Sequence, residues 1–441
     1  MESKIANELS SPSSGGPIHP VPFREAIKVW FKIGVLSFGG PAAQIALMHR
    51  MLVEEKAWLS EKQYLSGLSF CMLLPGPEAM QLATYAGWRL HGLSGGLVAG
   101  LLFVVPGAVV VFGLALLYSL YGNIDWLAGV FLGVKAAVII IVIEALLRVA
   151  KKSLKSIEHW AIAALSFVAI FFLDVPYPLI VVCAGLAGFY LRRLQIESDT
   201  SSYSTMQSTG LLRSTVFTVV SWLLIWSLPF ICLLMIEGNQ FLLELGVFFS
   251  KLAVVTFGGA YAVLAYLAQD VVVDFGWLTA GEMMDGLGLA ETTPGPLILV
   301  TEFVGFLAGF REGGVLLAVI AAALVLWVTF VPCFLWIFAG APFIEWVSEQ
   351  PRLRSALAAI TAAVVGVILN LSVWFALHVS FEKVEQSRLG LLNLWIPHVG
   401  TLDLKVVALT VSCGIALLVM HWSVLRVLLL AGMAGFGISL L

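Results

Sequence analysis

Two short triplets carry the strongest chemical signal in this chain: Pro75-Gly76-Pro77 and Pro294-Gly295-Pro296 each interrupt a long apolar stretch. Proline removes a backbone donor and collides with the preceding helical turn, so each triplet stops one helix and lets another begin. A helix restarting at Pro77 loses nothing by starting on proline, and its next free amides point back into the break. Helix starts carry partial positive charge and hold anions readily. Phe38-Gly39-Gly40-Pro41 and Phe257-Gly258-Gly259 offer the same chemistry, although Ala260 and Tyr261 stand where the first run has Pro41 and Ala42. Glycine there lets an anion approach the backbone closely. Hydroxyl and amide groups accompany the breaks: Ser37 and Thr256 form a matched pair, Thr292-Thr293 precede the second triplet, and Gln44 follows the first glycine pair. Many neutral donors and few full charges suit a tetrahedral oxyanion that must bind and then leave.

The charges within apolar stretches need separate accounting, since one at mid-bilayer costs on the order of 2.5–3.5 kcal/mol on insertion scales. Lys32 and Lys251 each precede a glycine pair by seven residues, two helical turns away on the same face. They read either as attractive charge for the anion or as lysines snorkelling to the headgroups. Glu78 follows Pro77 directly and is either a cap favoured by the helix dipole or a protonatable coupling group. Asp285 and Glu291 are further candidates for proton carriage, because burial favours the protonated carboxyl; hydrogen-bonded packing is the alternative for both. Glu302 ranks below them. Glu144 and Arg148 stand four apart on one helix face and can pair, on the span that also holds Lys135.

The elements that must position these groups come in two copies. Aligned without a gap at an offset of 219, Lys32–Pro77 and Lys251–Pro296 share fifteen of 46 residues, including both glycine pairs, Trp58/Trp277 and both triplets. Repeated halves with Gly/Pro-interrupted apolar segments point to a secondary transporter whose site lies between the repeats. The composition agrees: 60% hydrophobic and 12% charged over 441 residues describes a polytopic, all-α membrane protein. The reading divides the chain into a Ser/Pro/Gly-rich tail at 1–22, a first repeat at 23–191, a polar linker at 192–213, a spare helix at 214–239 and a second repeat at 240–441. If each broken segment crosses once, each half has six crossings and the spare makes thirteen. An odd number between equivalent points inverts the second repeat. Lys151, Lys152, Lys155, Arg192, Arg193, Arg213, Arg352, Arg354 and Arg426 then share one face, the cytoplasmic one, while Arg50, Lys56, Lys62 and Arg311 are exceptions. Re-entrant hairpins at the triplets would instead give eleven, with both halves pointing the same way.

Other function classes find little support. The net charge of −3 suggests no nucleic-acid surface. The five cysteines lie singly within apolar segments, and no paired-carboxylate metal motif, dinucleotide fingerprint or haem motif is present, so no cofactor is expected and a membrane-embedded enzyme is disfavoured. A passive anion channel is the nearer rival, since broken helices also build pores.

Phe38-Gly-Gly-Pro-Ala-Ala-Gln44, Cys71-Met-Leu-Leu-Pro-Gly-Pro-Glu-Ala79 with Gln81-Leu-Ala-Thr-Tyr85, and Gly286-Leu-Gly-Leu-Ala-Glu-Thr-Thr-Pro-Gly-Pro296 resemble the two-domain bacterial chromate transporter family. The resemblance implies a multi-pass protein of the bacterial inner membrane. It further implies export of chromate, with sulfate as a competitor, driven by the proton gradient or by anion exchange, and with it chromate resistance. The bilayer is the expected surrounding, and a homodimer is compatible with the chain.

Overall fold

The computed structural model describes residues 21–122, 124–190, 209–235, 238, 240–257, 260–344, 350–390 and 392–440. The first repeat opens with α1 (Phe23–Leu36) and α2 (Gly40–His49), whose last turn widens to a π-helix at Arg50–Glu55. Next come α3 (Glu61–Cys71), α4 (Glu78–Tyr121), α5 (Asp125–Ser153), α6 (Ile157–Leu173) and α7 (Tyr177–Tyr190). The joining helix α8 (Thr209–Leu233) precedes the second copy: α9 (Gln240–Val255), α10 (Ala260–Gln269) with its π turn at Asp270–Asp274, α11 (Ala280–Thr292) and α12 (Val300–Gly340). α13 (Pro351–Ser380), a hairpin of β1 (Val384–Leu389) and β2 (Leu392–Pro397), α14 (Leu404–Gly414) and α15 (Val424–Ser439) complete it.

The repeat extends to hydrogen-bond detail. Ser60 caps α3 and Thr279 caps α11, each in a reciprocal box with the side chain three residues on, Gln63 and Glu282. The Trp58 amide donates to Leu52 and the Trp277 amide to Val271, so both loops close alike after their π turns.

Each interrupted segment is a helical hairpin. The Tyr85 ring lies on Gly67, placing the start of α4 alongside α3, whereas a straight path would separate these residues by about 27 Å at 1.5 Å per residue. Gly286 meets Phe303 in the same way, pairing α11 with the start of α12. The Lys56 ammonium reaches Glu25 at 2.7 Å, so α1 and α2 also fold back on one another around Gly39-Gly40. α4 itself doubles back at His91 (φ −139°, ψ 23°) and Gly92 (φ 64°, ψ −149°), and α12 repeats the turn at Gly313 (φ −155°, ψ 23°) and Gly314 (φ 75°, ψ −164°). Glycine supplies the positive φ in both. The legs beyond the turns touch at close range: a methyl group at Gly87 would collide with the Gly95 carbonyl, and one at Gly309 with Ala321. The expectation that each broken segment runs straight through is therefore corrected. The glycines that interrupt the helices form tips, and small residues let the legs sit side by side.

The repeats interlock. The second leg of α4 packs against α12, α13 lies across α5, α6 and α7, and α14 and α15 pack on α5. α8 lies against α9 and the second leg of α12, where Trp226 donates to the Val328 carbonyl at 3.1 Å and Trp222 stacks on Phe334. The expected tail at 1–22 and linker at 192–213 fall largely outside the described residues.

Candidate functional site

The hairpin tips of the two repeats meet and bond crosswise. The Gly76 amide donates to the Thr256 carbonyl at 2.8 Å, and the Gly295 amide donates to the Ser37 carbonyl at 2.9 Å. Both partners of one bond lie 219 residues from those of the other, so the clasp is a single interaction made twice. Positive φ values of 119° at Gly76 and 90° at Gly295 make both triplets dependent on glycine. Each tip also abuts the other repeat's long leg: Gly76 faces the Cys333 thiol on α12, and Gly295 faces the Gly107 backbone on α4.

Two buried glutamines brace the clasp from the first repeat. Gln44 donates to the Gly295 carbonyl at 2.6 Å and, more weakly, to the Ser37 carbonyl at 3.3 Å. Gln81 donates to the Pro75 carbonyl at 2.7 Å. Their positions in the second repeat hold Val263 and Val300. The bracing role of Gln81 escaped the sequence reading, although the residue stands within a quoted motif. Pro77 is the N-cap of α4, and Glu78 in its first turn is partly buried.

The hydroxyls are engaged within their own segments. Ser37 donates to Ile33 at 2.6 Å, Thr256 to Leu252 at 2.5 Å, Thr292 to Leu289 at 2.8 Å and Thr293 to Ala290 at 3.1 Å. They leave lone pairs rather than protons for anything at the tips. The amide donors are the better-placed groups. Gly39 and Gly40 stand at φ 84° and 77° at the head of α2, Gly39 exposed and Gly40 partly so, a concave backbone turn that can cradle an anion. Gly258 and Gly259 lie outside the described residues. Lys32 and Lys251 are on the exposed sides of α1 and α9, while Ser37 and Thr256 are fully buried.

Ionisable groups near the tips are paired across elements. The Tyr261 hydroxyl donates to Glu291 at 2.7 Å. Asp285 accepts from Tyr118 at 2.8 Å and pairs with Lys135 at 3.3 Å, so an acid of the second repeat is held by α4 and α5 of the first. Arg148 pairs with Glu144 as the four-residue spacing predicts. Among the described residues, no cluster of three or more His, Cys, Asp or Glu side chains could hold a metal ion.

Two copies of a hairpin pair, with helix ends and neutral donors converging where the copies bond, define a multi-pass membrane transporter built from a duplicated unit. The sequence model described as "Chromate transporter" matches residues 24–189 and 243–436. The chain belongs to that family, which makes it a transporter and not an enzyme, consistent with a place in the bacterial inner membrane. Among its relatives, "Chromate transport protein" of Pseudomonas aeruginosa is 30% identical over 90% of this chain and 92% of its own length. "Probable chromate transport protein" of Synechococcus elongatus is 30% identical over 80% of this chain and 84% of its own. "Chromate transport protein" of Cupriavidus metallidurans is 29% identical over 81% and 84%. No solved structure matches the chain.

Proposed function

We propose that this chain exports chromate from the cytoplasm as a carrier, coupled to the proton gradient or to anion exchange, and thereby confers chromate resistance. The observation that carries the reading is the crosswise clasp. It places the start of α4 and the break ahead of α12, together with the ends of α1 and α9, at one centre, and it closes that centre with backbone bonds, which favours an alternating carrier over an open channel. The anion is taken by amides at the tips, with Gly39, Gly40, Gly76 and Gly295 as the backbone contributors. Gln44 and Gln81 can redirect their N–H hydrogen bonds from tip carbonyls to the anion when the clasp parts.

The hairpins also change the expected topology. Segments that return to their own side add no crossing, which leaves nine: the second legs of α4 and α12, and α5, α6, α7, α8, α13, α14 with its π turn, and α15. Five of these separate the start of the first repeat from the start of the second. Five is odd, so the second repeat is inverted, as in other duplicated carriers. In this arrangement Arg50, Lys56 and Lys62 join Lys151, Lys152, Arg352 and Arg426 on one side, and only Arg311 remains from the former exceptions. That side is the cytoplasm.

Chromate accumulation in respiring inside-out vesicles tests the reading, with and without a protonophore and with excess sulfate. Uptake that the protonophore stops is the expected result. Uptake of sulfate without chromate would overturn the substrate and keep the carrier. Passive equilibration indifferent to gradients would point to a channel.

A further inference from the structure

Glu302 is a buried acid near the tips with no hydrogen-bond or ion-pair partner among the described residues; Glu78, which heads α4 at the other tip, is partly buried. Glu302 lies in the first leg of α12, is 1% exposed, and its Oε2 has no hydrogen-bond partner. The other charges on the helices around it are accounted for: Asp285 by Lys135 and Tyr118, Glu291 by Tyr261, and Glu282 by Arg311. Lys251 and Glu244 sit on the exposed side of α9.

One more unpartnered polar atom lies at the same level. Gly305 of the first leg of α12 meets Val325 of the second, so Glu302, one turn earlier on that face, stands level with Val328 and Thr329. The Thr329 Oγ1 is buried and unbonded. A carboxyl group and a hydroxyl, orphaned at one level on two adjacent helical legs, are an expensive arrangement for a purely structural core.

We propose that Glu302, level with the Thr329 hydroxyl on the facing leg, is the site that carries the coupled proton through the transport cycle. This rests on the carrier reading and names the group behind its proton dependence. An ionised carboxylate with no cation beside it and no hydrogen bond to a donor is unsustainable at this depth, so Glu302 holds a proton in the clasped state. That proton can leave only when the legs of α12 or helix α9 move and admit water, which ties its release to the movement that opens the tips. The matched position in the first repeat is Ala83, so each cycle has one such group.

Proteoliposomes of full-length protein containing a pH-sensitive dye test the proposal, with chromate or sulfate gradients as the probes. Wild-type protein is expected to exchange anions and to move protons with them. E302Q is expected to keep anion exchange while proton movement falls to that of empty vesicles, and E302D to restore part of it. Proton movement undiminished in E302Q would overturn the proposal. So would loss of exchange in folded E302Q and E302D alike, since the residue would then serve the carrier as a whole. Infrared spectra give an independent reading: the stretch of a protonated carboxyl should be present at neutral pH and missing in E302Q, and an unchanged band would also overturn the proposal. A wild-type protein that exchanges no anion would remove the carrier reading instead, and the infrared result alone would then decide whether Glu302 holds a proton.

Discussion

The two repeats share a backbone and differ in their side chains. Around the clasp, the first repeat contributes the neutral amides of Gln44 and Gln81, where the second has Val263 and Val300. The second contributes Tyr261 with Glu291, Asp285 with its partners across the boundary, and the solitary Glu302. Duplication preserved the geometry that brings helix ends together, and the chemistry then diverged. Neutral donors suited to an anion collect on one side, and groups able to exchange protons collect on the other.

If the shared backbone is what counts, breaking either half of it should have the same large effect. Gly76→Ala and Gly295→Ala each force a side chain onto a positive φ, at about 1–3 kcal/mol of strain, and push a methyl group against Gln81 or Leu299. Transport by either variant should drop to that of vesicles lacking the protein, at equal membrane abundance; an active Gly76→Ala beside an inactive Gly295→Ala would mean that the clasps are not equivalent. Lys135→Met should strand Asp285 and destabilise the protein by up to about 3–5 kcal/mol, the range for breaking a buried pair. The double variant Lys135→Met/Asp285→Asn should recover most of this in unfolding measurements in detergent, and failure to recover would show that the pair does more than neutralise itself. Gln44→Val places the second repeat's residue in the first and leaves the Gly295 carbonyl short of a donor, costing about 1–3 kcal/mol. The expected readout is slower but measurable chromate exchange, and an unchanged rate would remove the amide from the site.

The smallest effect lies at the exposed end of α2. The hydrogen bond that the His49 ring donates to Glu61, helped by the charges of Glu61 and Glu54, raises the His49 pKa above its usual 6.5 against a small opposing effect of burial. Its stabilising contribution is therefore complete below about pH 6.5 and is lost as pH rises through the raised value. Melting curves of wild type and His49→Gln should differ slightly at low pH and converge at high pH. This link has no counterpart in the second repeat, where position 268 is alanine.

Much of this was readable before any coordinates. The duplication, the apolar spans and the two pairs of breaks all follow from residues in fixed order, and the breaks do meet. The path of the chain through the breaks was not readable, because a proline-glycine interruption looks the same whether the next helix continues onward or turns back. One clue was available: Arg50, Lys56 and Lys62 fell on the wrong face of the thirteen-crossing scheme, and hairpins remove that conflict. Pairings such as Lys135 with Asp285 were hidden for a different reason, since they join residues far apart in sequence through packing that no local pattern encodes. Glu302 ranked below Asp285 and Glu291 because the sequence does not show that their charges are compensated and its own is not.

The crosswise clasp also has an electrical consequence. In the proposed inverted arrangement the tips reach inward from both faces, and where water followed them the transmembrane voltage would fall largely across the few ångströms where Gly76, Thr256, Gly295 and Ser37 join. Each elementary charge moved through 100 mV is worth about 2.3 kcal/mol, so a divalent oxyanion passing that seam outward from a negative interior gains about 4.6 kcal/mol. Traffic through this protein should therefore follow the membrane potential itself, even over a distance shorter than a single turn of helix.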